Sequence, residues 1–454
     1  MCFHSTRHKT VSGRDRNMKS PNSLIVILIS CLLIFSTGCP RSPGKPVTNS
    51  FTLPNGIRLL SIYLPDSKNV SVFSFLPMGL SSDGPGQAQW SHLVEHLVIR
   101  TTTPLGSQQA NAETLPDHMR LDFYGSTDNW QQALSHHARW LQGVPFTQES
   151  LDAEKPHVKS ECDFTAQRLA THKFAMAAWA QGYRHGRTHA ALKTDIDKVT
   201  LDEIQKYRDT HLAVLDRILV CVVGGIDAQT LKPVAAEELG KLKSDAKTHP
   251  PVKLHQGNHN MTWDLDASHL VLTWPIPDFS DTDYPALMVA AQWLTMNFFS
   301  DAELKKLTGM VLAGADLTVP EGNFFYISAS TKQQTPSEDV RAKIEHHLRS
   351  LRSPTTALPQ AAFIGPQLSY QLTNLTDPAV AKSQAPPNIS DAMIEGNIGL
   401  QWAMHDFRYG PHRKSLAGKL AEVTPSQIHQ VAQKYLTADK CSACTLRPDM
   451  KVTQ

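Results

Sequence analysis

Apolar positions recur along the chain at two spacings, two and about 3.6 residues, separated by short polar or glycine-rich breaks. Phe51 to Leu60 reads as a strand, an Asn55-Gly56 turn and a second strand. Val70 to Leu76 alternates as a strand, and Gly79 to Gly86 is a loop rich in Gly, Ser and Asp. Ala88 to Ile99 has helical spacing, Leu121 to Tyr124 reads as strand, and Asn129 to Leu141 and Gln148 to Gln181 read as helical. Leu201 to Thr210 is helical, and Ile218 to Val223 is a buried strand ending at Gly224-Gly225. Residues 241–260 are polar, aperiodic and contain Pro250-Pro251, which marks a linker. The same grammar then returns. Leu270 to Trp274 is a strand, Tyr284 to Phe299 a helix, Phe324 to Ser330 a strand, and Ser337 to Leu351 a helix. Thr424 to Leu436 is a helix, and Ala443 to Leu446 a terminal strand.

This repetition predicts two αβ domains, residues 50–240 and 261–448, which suits a chain of 454 residues, longer than one core usually supports. The N-terminus carries a different signal. Leu24 to Phe35 is an apolar run too short to span a bilayer, preceded by Lys19 and followed by Ser36-Thr37-Gly38-Cys39. It resembles a bacterial lipoprotein signal, residues 1–39, with Cys39 as the lipidated residue and 40–49 as a tether. Met18 would give that signal an ordinary length, leaving residues 1–17 as a misassigned start.

Hydrophobic residues make up 41% and charged residues 19%, as in folded globular proteins. A formal net charge of +2 argues against nucleic acid as a partner. Of the seven cysteines, Cys162, Cys221, Cys441 and Cys444 lie beyond the leader. Cys441 and Cys444 have the spacing of a redox or metal pair, but no second such pair exists, and they read as two ordinary cysteines or an incidental disulfide.

The 21 histidines justify a search for metal sites, and one stands out. In His92-Leu-Val-Glu95-His96 a helical advance of about 100° per residue puts both imidazoles and the carboxylate on one face. Two imidazoles one turn apart can hold one Zn²⁺, and Glu95 would stand beside its water as the general base. A catalytic zinc needs a third protein ligand, which the His-x-x-Glu-His order places downstream. Glu154 and Glu161, seven apart and so on one helical face, are the candidates, with His157 as a minor alternative. Pro156 lies between them and predicts a kink. In the second half the best pair, His346-His347, is adjacent and cannot clamp one ion from one helix face.

These residues resemble the pitrilysin, insulin-degrading enzyme and mitochondrial processing peptidase family of inverzincins. His92, Glu95 and His96 match its zinc motif, Glu161 its third ligand, and Glu154 its supporting acid. Thr52 to Ile57 is similar to the family's opening strand, Tyr183-Arg-His-Gly186 to one of its loops, and Val423 to Leu436 to its closing helix. Asn111-Ala112-Glu-Thr is similar to the strand that faces the active site. The resemblance covers about residues 50–448. It implies an α+β fold of two similar domains, each a mostly antiparallel sheet packed by helices and closing like a clamshell. It also implies one zinc per chain, catalysis by Glu95 with Glu154, and an extended peptide paired to the edge at Asn111 and Ala112. The chain supplies one half of the family's usual enclosure, so a homodimer or a heterodimer with a related subunit is expected.

Two departures matter. The gap from His96 to Glu161 is shorter than the family's by roughly ten residues, as though a helix between Thr103 and Asn111 were missing. An Arg and a Tyr that often touch substrate in the second domain are replaced by Lys305 and Leu312. The expected function is therefore a zinc endopeptidase of the bacterial cell envelope, lipid-anchored and facing the periplasm or exterior. The alternatives are a catalytically silent binding subunit and a metal-binding lipoprotein without hydrolytic activity.

Overall fold

The computed structural model describes residues 44–102, 110–166, 172–212, 214–243, 252–332 and 335–449. Cys39, the rest of the leader and residues 103–109, where the shortened gap falls, lie outside the described residues. Residues 44–449 belong to one compact unit built on two six-stranded sheets. No helix among the described residues is long and apolar enough to cross a membrane.

The first sheet comprises β1 (Val47–Thr52), β2 (Arg58–Tyr63), β3 (Asn69–Leu76), β4 (Ala110–Thr114), β5 (Met119–Ser126) and β7 (Leu219–Gly224). A two-residue β6 (His189–Ala190) joins the second sheet instead, with β8 (Asn258–Trp263), β9 (Ser268–Ile276), β10 (Thr308–Val319), β11 (Gly322–Thr331) and β12 (Ser442–Pro448). The strand orders are β4-β5-β3-β7-β2-β1 and β10-β11-β9-β12-β8-β6. Position for position, each sheet has three antiparallel pairings and then one parallel pairing. Only the last pairing differs, antiparallel for β1 with β2 and parallel for β6 with β8. The repetition in hydrophobic pattern is thus a repetition in topology. In both sheets one strand begins a hairpin and ends the sheet: β4 in the first, β10 in the second. The polar stretch 241–260 already contains the start of β8 at Asn258.

Helices cover these sheets: α1 (Trp90–Thr102), α2 (Trp130–Gln142), α3 (Gln148–Ala166), α4 (His172–His185), α5 (Leu201–Leu212), α6 (Tyr284–Ser300) and α7 (Asp391–Tyr409) are the ones that matter below. Leu93, Val94 and Leu97 of α1 pack with Val72, Leu121 and Phe123 of the first sheet and with Leu134 of α2. This burial fixes the polar arc of α1 on its opposite side. The stretch from Gln148 to Gln181, read as helical, contains α3, whose Leu151 and Val158 join the core of the first sheet, and α4, which serves the second. α4 buries Trp179 and Tyr183 against Phe324 of β11, with ring centroids 5.6 and 5.5 Å apart, in a core shared with Trp263, Val271 and Leu446. In return, Trp402 and Ala403 of α7 pack on Phe73, Phe75, Cys221 and Val223 of the first sheet. Close approach here requires glycine. A Cβ at Gly399 would meet Val223 at 2.5 Å, and one at Gly396 would meet Tyr124 at 2.6 Å.

Candidate metal centre

His92, Glu95 and His96 lie on α1, whose apolar face is committed to the core. The segment before the helix is tightly held. Asp83 accepts the backbone N–H of Ser91 at 3.0 Å and the hydroxyl of Tyr207 at 2.6 Å. Asp195 accepts the N–H of Ala88 at 3.2 Å. Burial pushes the Asp83 carboxyl up to about 7 despite these hydrogen bonds. Gln89, fully buried, has φ +67° and is the only non-glycine residue with positive φ among the described residues. That conformation costs an ordinary side chain on the order of 1–2 kcal/mol.

The third candidate ligand arrives from α3. Glu161 Oε2 lies 3.3 Å from Nε2 of His92, and its Oε1 lies 3.5 Å from Nε2 of His96. One ligand atom from each residue falls within 4.8 Å of the others, and the trio is the one such cluster among the described residues. The imidazole centroids are 5.0 Å apart. His92 is buried, whereas the Glu161 side chain is 54% exposed, so the cluster opens to solvent on the glutamate side. Pro156 does not break α3, which is continuous from Gln148 to Ala166 and carries both glutamates to α1.

Behind the cluster, each imidazole has its second nitrogen occupied. Nδ1 of His92 is 3.0 Å from the side-chain carbonyl oxygen of Gln89. Nδ1 of His96 is 3.1 Å from Glu154 Oε2, whose other oxygen accepts from Arg100 at 2.7 Å. Glu154 therefore sits behind His96, on the far side of the ring from Glu161. Glu95 accepts the hydroxyl of Thr114 on β4 at 2.6 Å. Asn111 is exposed and Ala112 half-buried on β4, paired on one side with Asp122 and Leu121 of β5.

The electrostatics match the geometry. Burial alone would lower His96, but the hydrogen bond and charge of Glu161, the charge of Glu95 and the hydrogen bond to Glu154 push it up to about 9. Hydrogen bonds from His92 and His96 hold the Glu161 carboxyl far below the usual carboxylate range. Three anionic side chains thus surround two imidazoles whose Nε2 atoms converge, a donor set suited to a divalent cation. The residues fit the ion that the motif predicts.

A sequence model of the family described as Peptidase M16 inactive domain matches residues 198–357. The chain is 24% identical over 221 residues to mitochondrial-processing peptidase subunit beta of Neurospora crassa, covering 46% of this chain and 46% of that protein. It is 22% identical over 297 residues to the probable beta subunit of Arabidopsis thaliana, covering 61% of this chain and 54% of that one. The chain is an M16 peptidase relative. It spans about half the length of the curated relatives it matches. The fold of this M16 relative is also that of a protease from Helicobacter pylori, with TM-score 0.67 and 18% identity over 89% of this chain and 100% of that one. A peptidase M16 inactive domain from Pseudomonas fluorescens superimposes with TM-score 0.61 and 15% identity, over 89% and 98% of the two chains. The family resemblance and the fold class read from the sequence both hold.

Three residues of the site escaped the sequence reading: Gln89, Arg100 and the side-chain role of Thr114. Arg100 stands four residues after His96 and so on its face, a signal that was present. Among the described residues, neither Cys441 nor Cys444 is part of a metal-binding cluster. Both are free thiols, Cys444 buried within β12.

Proposed function

We propose that the chain is a zinc-dependent endopeptidase that hydrolyses extended peptides or unfolded polypeptide segments. The observation that carries this reading is the convergence of His92, His96 and Glu161 from two helices, with Glu95 on the same face of α1. His92, His96 and Glu161 would hold one zinc ion, which when bound lowers the pKa of a water and polarises a peptide carbonyl. Glu95 takes a proton from the attacking water and delivers it to the leaving amine, and Thr114 fixes the orientation of its carboxylate. Glu154 holds the ring of His96, and Arg100 holds Glu154. The open edge of β4 supports a mode in which the substrate adds as a strand at Asn111 and Ala112, a mode tolerant of side chains.

Lipidation at Cys39 would tether the protein to a membrane of a bacterial cell envelope, facing the periplasm or exterior. A homodimer, or a heterodimer with a related peptidase-like subunit, would complete the enclosure of the substrate. A second reading is a catalytically silent subunit that binds peptide, favoured by Lys305 and Leu312 where an Arg and a Tyr were expected. The inactive-domain match covers residues 198–357, beyond every residue of the cluster.

Zinc stoichiometry measured together with cleavage of a quenched unstructured peptide, with and without chelator, separates the two readings. The peptidase binds one zinc and loses cleavage on chelation. Glu95→Gln keeps its zinc and loses about 10²–10⁴-fold in rate. A metal-loaded protein that cleaves nothing supports the silent subunit, and full activity in metal-loaded E95Q refutes the role of Glu95.

A further inference from the structure

We infer that Gln89 is a positioning residue that selects the metal-binding tautomer of His92, and that its left-handed backbone is held for that purpose. The inference rests on the zinc reading above and adds to it a residue that the helical motif does not contain. Three observations converge on Gln89. Its backbone is at φ +67°, where a glycine would sit without strain. Its side chain is fully buried, and its Nε2 has no hydrogen-bond partner among the described residues. Its Oε1 lies 3.0 Å from Nδ1 of His92. An amide oxygen only accepts, so the proton of that contact resides on Nδ1. With Nδ1–H engaged by the amide, Nε2, the atom that faces Glu161 at 3.3 Å, is the nitrogen left for a metal ion.

The strained backbone explains how the side chain reaches. The carbonyl of Gln89 accepts the first helical hydrogen bond from the N–H of Leu93 at 2.9 Å. The residue is therefore joined to α1 at its backbone while its side chain folds onto the next turn, three residues on, beneath the imidazole. The neighbouring anchors, Asp83 on Ser91 and Asp195 on Ala88, keep the segment from relaxing. His96 obtains the same service from a carboxylate, Glu154. The two imidazoles are thus held by unlike groups, a neutral amide and an anion.

Gln89→Gly and Gln89→Met separate backbone from side chain. The glycine variant removes the strain together with the acceptor. The methionine variant keeps the bulk and the strain but offers no amide oxygen. Both are expected to weaken zinc binding about ten- to a hundredfold, measured by competition with a chromophoric chelator. The glycine variant is expected to melt no lower than the parent, which shows that the loss is not misfolding. In metal-free Glu161→Ala protein near pH 8, where no carboxylate competes for a proton on Nε2, imidazole ¹⁵N shifts of His92 should report the Nδ1–H form with Gln89 in place and a mixture of tautomers when either substitution is added. Gln89→Glu, which retains an acceptor, should recover most of the affinity. The inference is overturned if either variant binds zinc like the parent, or if the His92 shifts do not change. A parent that binds no zinc at all would instead sink the peptidase reading, and the ¹⁵N comparison would still decide the role of Gln89.

Discussion

Thr114 donates its hydroxyl to Oε2 of Glu95 across 2.6 Å, joining the edge strand of the first sheet to the helix that carries both imidazoles. The contact is buried and charge-assisted, of a kind worth about 1.5–3 kcal/mol. Thr114→Val keeps the shape of the side chain and removes the donor. It should lower kcat/KM by about ten- to a hundredfold while zinc stoichiometry stays at the parent value. Unchanged kinetics would mean that Glu95 is oriented by something else.

Glu161 and Glu154 approach His96 from opposite nitrogens and should differ in what they cost when lost. Glu161→Ala removes a ligand and should abolish stoichiometric zinc binding. Glu154→Leu removes only the partner of Nδ1 and should weaken zinc binding by about ten- to a hundredfold. Chelator competition on both variants checks the order, and equal losses would place Glu154 among the ligands.

His96 gives the metal-free protein a distinct pH dependence. Its folded value of about 9 lies above the ordinary 6.5, so its stabilising contribution is complete below pH 6.5 and lost as pH rises through 9. Glu161 runs the other way. Its carboxyl is depressed, so its contribution is present above the ordinary 4.5 and lost on acidification. The melting temperature of the metal-free protein should therefore decline between pH 6.5 and 9. Zinc must displace the His96 proton, so titration near pH 7.5 in buffers of different ionisation enthalpy should reveal about one proton released per ion. Absence of proton release would show His96 already neutral.

Gly399 is the test of the seam between the halves. A Cβ there would stand 2.5 Å from Val223. Gly399→Val should destabilise the protein by about 1–3 kcal/mol through overpacking. Urea denaturation followed by tryptophan fluorescence would measure it, and a neutral result would mean that α7 is free to move off the sheet.

The metal cluster was legible because helical geometry converts sequence spacing into direction. His92, Glu95 and His96 had to share a face, as did Glu154 and Glu161, once both segments were helices. What spacing does not encode is the sign of φ at Gln89, whose neighbours Ala88 and Ser91 are held by Asp195 and Asp83. The long stretch from Gln148 to Gln181 showed helical period throughout, but period says nothing about which sheet a helix will cover. α7 went unread for a related reason. Its Glu395 and Asp406 look like solvent-facing charges, yet Glu395 accepts from Asn69 at 3.0 Å, and Asp406 pairs with Arg58 at 3.2 Å. Those partners lie more than three hundred residues away in the chain. β10 was hidden by Gly309 and Gly314, which interrupt the alternation of its faces.

The exchange of α4 and α7 makes the two halves interlock. Severing the chain near residue 245 would strip each sheet of a helix that the other fragment carries, baring Phe324 and Trp263 on one piece and Phe73 and Phe75 on the other. Neither fragment would be a self-sufficient folding unit, and each would be the other's obligate chaperone. The repeated topology therefore describes two similar halves, neither of which closes its own sheet. A graft of the metal-bearing half alone onto another scaffold would carry the ligands but leave behind the helix that closes its sheet.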